Sequence, residues 1–170
     1  MASRVIDALR SEIGTPPNDE DLTADVPLPG TPSGGAASFA DERARALRAA
    51  GVDTATTARL CWLYGIQLDH LLALGSQDPS WLEPLGPGVP ALRGEVKLAV
   101  ETEMASTLAD FMDRRAALLL FSPDFGRPGA AEAAAIMGDL LGWSEERRAE
   151  ELAAYERLAT AHGVPCDAVS

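Results

Sequence analysis

Four groupings of residues in this sequence could carry chemistry: a glycine cluster, two cysteines with two histidines, a set of carboxylates, and a pair of adjacent arginines. A phosphate-binding loop needs free backbone amides and glycines that let the anion approach a helix N-terminus. Gly30-Thr-Pro-Ser-Gly34-Gly35 is the nearest approach to one. It places a proline where an amide is required, follows no strand-like run and opens no βαβ unit, so it reads as linker. Gly86-Pro-Gly88 is weaker still. A metal centre needs clustered ligands, and Cys61, Cys166, His70 and His162 lie far apart without ligand spacing, so no metal site is expected. The two cysteines read as reduced thiols of a cytoplasmic protein, and His70, beside Asp69, reads as a satisfied, half-buried imidazole.

The carboxylates of the central region are Glu95, Glu101, Glu103 and Asp110, and a solvated helix face accounts for most of them. Asp110 and Arg114 are spaced i,i+4, a pair worth only about 0.2–0.5 kcal/mol when exposed. Arg115 falls on the helical face that carries Leu108, Phe111 and Met112, which predicts an inward-pointing guanidinium. Such a group requires a carboxylate, with Glu103 and Asp110 as candidates, or helix-end carbonyls. A structural buried ion pair is the favoured reading, and docking of Arg114 and Arg115 to a partner domain stays open. No residue presents itself as catalytic, cofactor-binding or metal-ligating.

The elements that must position these groups are helical. Val5, Ile6, Leu9 and Ile13 share one face of a short helix within residues 1–14, ended by Gly14. Residues 15–38 carry five prolines and several glycines and read as a linker. A helical domain is expected over residues 39–163, followed by a tail over 164–170. In it, Ser38 with Asp41 resembles an N-cap for a helix Ala40–Ala50 ended by Gly51. Asp53 or Thr54 caps Ala55–Tyr64, ended by Gly65, and Gln67–Leu74 is ended by Gly75. Ser76–Pro90 is proline-rich and irregular, anchored by Trp81, Leu82 and Leu85. Leu92, Val96, Ala99, Val100 and Met104 then form one apolar face, and Leu108, Phe111, Met112 and Leu119 another. A boundary falls near Ala105–Thr107, where Thr107 and Asp110 have the form of a capping box. Ala130–Leu141 and a final helix capped by Ser144 complete an all-α, small orthogonal multi-helix domain.

Composition narrows the function classes. The 170 residues carry 14 Lys+Arg against 26 Asp+Glu, a net charge of −12, and Lys97 is the one lysine. Nucleic-acid binding through a basic face is therefore not expected. Thr54–Leu74 has the outline of a small helix-turn-helix regulator, but its second helix carries Asp69 and neither Arg nor Lys. Hydrophobic residues amount to 46%, enough to fill a core. The longest apolar run, Ala116–Phe121, is far too short to cross a bilayer, and Met1–Glu12 lacks the apolar core of a secretory signal.

The string from Glu95-Val-Lys-Leu-Ala-Val through Asp110-Phe-Met-Asp-Arg-Arg115 resembles the helical C-terminal domain of the FAD-dependent glycerol-3-phosphate dehydrogenases, also called α-glycerophosphate oxidases. The family pattern there runs roughly E-V-x-Y-A-V-x-x-E-x-A-x-T-x-x-D-x-L-x-R-R-T-[KR]-L. Leu63-Tyr64-Gly65 resembles the family's L-Y-G, and Leu141-Gly142-Trp143 precedes an acidic helix with Tyr155, as in the family. Upstream, Val5-Ile-Asp-Ala8 is similar to the last helix of the flavin domain, and Thr23–Gly30 to its exit into the linker. Three positions depart from the pattern: Leu98 for Tyr, Ile66-Gln67 for S-R, and Ala116-Ala117 for T-[KR].

This resemblance implies an intact enzyme that oxidises glycerol 3-phosphate to dihydroxyacetone phosphate on FAD and passes electrons to a membrane quinone or to oxygen. The flavin fingerprint, the substrate-binding arginines and the catalytic groups of the family lie upstream of the part represented here. The chain is accordingly expected to hold no FAD and to be inactive alone, its partner being a flavin-binding domain placed upstream or supplied in trans. A free-standing helical interaction module is the alternative.

Overall fold

A computed structural model describes residues 34–163, together with Leu9, Val26, Thr31 and Pro32. The predicted first helix, most of the linker and the tail with Cys166 lie outside the described residues. Within residues 34–163 seven α-helices follow in order: α1 Ala36–Ala49, α2 Thr54–Tyr64, α3 Leu68–Gln77, α4 Arg93–Glu103, α5 Leu118–Phe121, α6 Arg127–Leu141 and α7 Glu145–His162. Short 3-10 turns occupy Gly65–Gln67, Pro79–Leu82 and Pro123–Gly126, and a π-helical turn spans Asp110–Arg115. Among the described residues there is no strand, only an isolated bridge between Pro84 and Leu92. The class is all-α.

Local chemistry explains several of the helix ends. Asp53 accepts from the amides of Ala55 and Thr56 at 2.9 and 3.0 Å and so caps α2. Ser144 Oγ accepts from Arg147 N at 3.2 Å and starts α7. Gly142 ends α6 at a φ of 69°, which a side chain would strain. The Thr107–Asp110 box is reciprocal: Asp110 N donates to Thr107 Oγ1 at 3.1 Å, and Thr107 N donates to Asp110 Oδ2 at 3.0 Å.

Four boundaries differ from expectation, one of them the start of α6, which lies at Arg127 and not at Ala130. α1 begins at Ala36, so Ser38 sits inside the helix and its hydroxyl donates back to the carbonyls of Gly34 and Gly35 at 3.0 and 3.2 Å. This back-bonding competes with capping, which is why the serine misleads. α3 runs through Gly75 to Gln77; a Cβ there would lie 2.3 Å from Leu82 Cδ1, so that glycine serves close packing and ends no helix. Met104 is the exposed, left-handed C-cap of α4 and leaves the apolar face predicted for it.

Two apolar clusters share α4. One gathers Leu47, Leu60, Tyr64, Leu68 and Leu71 of α1 to α3. The other gathers Phe111, Met112, Leu119, Met137 and Tyr155 from the π turn, α5, α6 and α7. α4 gives Leu98, the position where the family pattern has Tyr, to the first, and Val96 and Ala99 to the second. Burial on both sides makes α4 the axis of the domain and fixes what stands at its two ends.

Candidate functional site

The N-terminal end of α4 is built around a buried ion pair that the sequence reading assigned to a solvated face. Glu95 is fully buried, at 0% exposure, and the Arg59 side chain on α2 is 15% exposed. Glu95 Oε1 accepts from Leu92 N at 2.7 Å, satisfying an orphan amide at the helix start. Arg59 Nη1 donates to both carboxylate oxygens, at 3.1 and 2.9 Å, and Nη2 donates to the carbonyl of Ala116 at 2.7 Å. One guanidinium thus fastens α2 to α4 and to the segment leading into α5. The Tyr64 hydroxyl is buried nearby without a hydrogen-bond partner among the described residues. Burial, reinforced by the charge of Glu95, pushes its phenol well above the ordinary value.

The four residues predicted for a structural or docking role lie at the other end of α4, in two local couples. Asp110 pairs with Arg114 on the π turn. Burial pushes the Asp110 carboxyl up, but bonds from Thr107 and Ser106 and the charge of Arg114 outweigh it and hold the group below its ordinary value. Arg115 Nε and Nη2 donate to the Glu103 carbonyl at 3.1 and 2.8 Å, with Nε 3.9 Å from Glu103 Oε2. Burial raises the Glu103 carboxyl, and the Arg115 charge offsets only part of the shift. The Arg115 side chain is 34% exposed, which corrects the expectation of a buried guanidinium. Its donors end on the carbonyl of Glu103, the last residue of α4, which is one of the acceptors expected for it. The segment is wound as a π turn, with Ala116 N bonding Phe111 O at 2.8 Å, an i−5 link.

Above the Arg59 clamp lies a recess of about 220 Å³ lined by Arg59, Trp62, Leu63, Ala116, Ala117 and Phe121. Trp62 is 80% and Phe121 71% exposed, so two aromatic side chains stand at an apolar hollow on the surface. Ala117, at a φ of 53°, turns the chain between the π turn and α5 and presents Phe121. Neither Trp62 nor the Arg59–Glu95 pair was found from sequence. The pair spans 36 positions, and no local pattern links its members. The one available signal was the apolar run Ala116–Phe121, which is too rich for a four-residue helix to bury.

A second recess, of about 280 Å³, lies between Asp53, Thr56 and the loop Gly86–Pro90, but the Asp53 carboxylate is already spent on capping α2. Among the described residues no group of three His, Cys, Asp or Glu could hold a metal ion. No helix among them is long and apolar enough to cross a membrane.

Residues 22–148 match the family model described as the C-terminal domain of alpha-glycerophosphate oxidase. A glycerol-3-phosphate dehydrogenase of Synechocystis sp. is 30% identical over 103 residues, 61% of this chain and 19% of the relative. One from Mycobacterium leprae is 33% identical over 92 residues, covering 54% and 16%. A probable mitochondrial glycerol-3-phosphate dehydrogenase of Dictyostelium discoideum is 34% identical over 89 residues, covering 52% and 14%. The matched part of this chain thus corresponds to between 14% and 19% of the length of these relatives. No solved structure matches the chain. The match over residues 22–148 takes in the clamp, the π turn and the recess alike, and the chain belongs to the family of alpha-glycerophosphate oxidase C-terminal domains.

Proposed function

We propose that this chain is the helical domain of an FAD-dependent glycerol-3-phosphate dehydrogenase and works against a flavin-binding domain that oxidises glycerol 3-phosphate to dihydroxyacetone phosphate. The family match over residues 22–148 is the observation that carries this reading. FAD supplies the redox chemistry in the companion domain. The described residues do not fit it: a pyrophosphate seat needs a strand, a glycine turn and a helix N-terminus in sequence, and no strand precedes any helix here. The role of this chain is therefore architectural. The Arg59–Glu95 clamp and the α4 axis hold a rigid helical body against its partner. A cytoplasmic location belongs to the same proposal.

A DNA-binding reading gains no support, since α3 presents Asp69, engaged by Arg43 at 2.6 Å, and neither Arg nor Lys. The test is a hybrid enzyme in which residues 22–148 replace the matched segment of the Synechocystis relative. The hybrid should oxidise glycerol 3-phosphate well above the same relative truncated before that segment. Activity no higher than that of the truncated protein would sink the proposal.

A further inference from the structure

The chain that leads from the π turn into α6 holds its backbone in a region that L-residues seldom enter. Among the described residues, the non-glycine positions with positive φ are Met104, Ala117, Asp124 and Phe125. Met104 is a lone C-cap, but the other three bracket α5. In the left-handed region Cβ crowds the following carbonyl oxygen, so such residues ordinarily occur singly. Asp124 and Phe125, at 51° and 57°, stand side by side and run into Gly126 at 69°, which winds a whole turn left-handed. Ala117, at 53°, is the joint on the other side of the single turn Leu118–Phe121. Side chains from distant elements fasten both joints. Arg59 Nη2 donates to the Ala116 carbonyl at 2.7 Å, and Tyr155 of α7, 1% exposed, donates its hydroxyl to the Phe125 carbonyl. Arg127, bonded to Glu156 at 2.9 Å, lies 5.3 Å from the centre of the Phe125 ring. Between the joints the hold is weaker. Leu118 and Leu119 are buried but Leu120 and Phe121 are exposed, and the amides of Phe121 and Ser122 bond within the segment, to the carbonyls of Ala117 and Leu118 at 3.1 and 3.0 Å.

We propose that residues 117–126 are a strained strap that opens as a unit while the helices around it stay folded, with Tyr155 as its latch. Strain of this kind persists only where the surroundings over-determine it, and it collects in segments that switch. Opening returns Ala117, Asp124 and Phe125 to ordinary backbone and breaks the Tyr155 bond. Burial of Leu118 and Leu119 opposes it, as does the close packing of Gly126, where a Cβ would lie 2.9 Å from Leu118 Cβ and 3.1 Å from Met112 Cε. The two states differ in the apolar surface they present: the closed strap hides Leu118 and Leu119, and the open one releases them.

The test is amide hydrogen exchange in the full 170-residue chain, under conditions that report the opening equilibrium. Phe121 and Ser122 should be protected at least about tenfold less than Ala99 of α4 and Met137 of α6, which marks an opening separate from global unfolding. Tyr155→Phe leaves the Phe125 carbonyl without its donor and should speed exchange at Phe121 and Ser122 about tenfold. Asp124→Gly, at an exposed position, removes the left-handed penalty at the cost of glycine's extra chain entropy, and should slow both amides about threefold. Simple fraying of one helical turn would respond to neither variant, because it leaves the Tyr155 bond and the Asp124 joint in place. Equal protection of strap and core amides in wild type would overturn the strap. So would exchange at Phe121 and Ser122 that Tyr155→Phe leaves unmoved, or that Asp124→Gly leaves unmoved or speeds. Where Tyr155→Phe does not fold, the wild-type comparison and Asp124→Gly decide alone.

Discussion

Replacing Arg59 by Met should be among the most damaging single changes to the domain. The substitution leaves Glu95 at 0% exposure without its counter-charge, keeping the Leu92 amide as a hydrogen-bond donor, and frees the Ala116 carbonyl. Removing one partner of a buried pair typically costs about 3–5 kcal/mol, because the other charge stays buried and uncompensated. The 15% exposure of Arg59 places the expected value near the lower end, roughly 3 kcal/mol. For a unit of this size that lowers the melting temperature by roughly 10 °C. Arg115→Met removes bonds to one carbonyl from a side chain that is 34% exposed, and its cost should stay near 1 kcal/mol, roughly. Arg59→Met with Glu95→Leu should recover much of the loss, since a well-packed apolar pair can replace a buried ionic one. Urea unfolding followed by circular dichroism at pH 7 measures all three. Equal effects of Arg59→Met and Arg115→Met would refute the assignment of the clamp.

Other expectations follow from the same geometry. Asp110→Asn should flatten the acid limb of the stability curve: its folded carboxyl is held below the ordinary value, so its contribution is present above the unfolded pKa and lost as pH falls through the folded one. Unfolding midpoints between pH 7 and pH 3 check this, and an unchanged slope would contradict it. Gly86→Ala would place a Cβ 2.5 Å from the Pro128 carbonyl oxygen, a backbone atom, and should cost about 1–3 kcal/mol. Gly75→Ala would drive a Cβ to 2.3 and 2.4 Å from Leu82 Cδ1 and Cγ, a side chain packed on the α1–α3 cluster, and should destabilise as well. The purified 170-residue chain should bind no flavin and show no glycerol-3-phosphate dehydrogenase activity; a yellow preparation would refute this.

What the sequence disclosed was local. Asp53, Ser144, Gly142 and the Thr107–Asp110 box act within a few residues of the chain, and their chemistry is legible there. Ser38 misled because its hydroxyl bonds backward into the turn before it. Arg115 found the helix-end carbonyl expected for it but is less buried than expected, at the close of a π turn that 3.6-fold counting does not anticipate. The clamp stayed hidden because Arg59 and Glu95 meet only after α2 packs on α4, and a glutamate at the start of a helix ordinarily reads as solvent-facing. The recess was hidden for the same reason: its walls come from segments more than 50 positions apart and exist only in the folded domain.

The central claim, that this domain serves a flavin-dependent glycerol-3-phosphate dehydrogenase, is tested most directly by isolating the native protein that carries this sequence and recording its visible absorbance before and after addition of glycerol 3-phosphate. The account predicts a flavin spectrum that the substrate bleaches, whether the flavin resides in the same polypeptide or in a bound partner. A colourless preparation, or a flavin that glycerol 3-phosphate leaves oxidised, would contradict it.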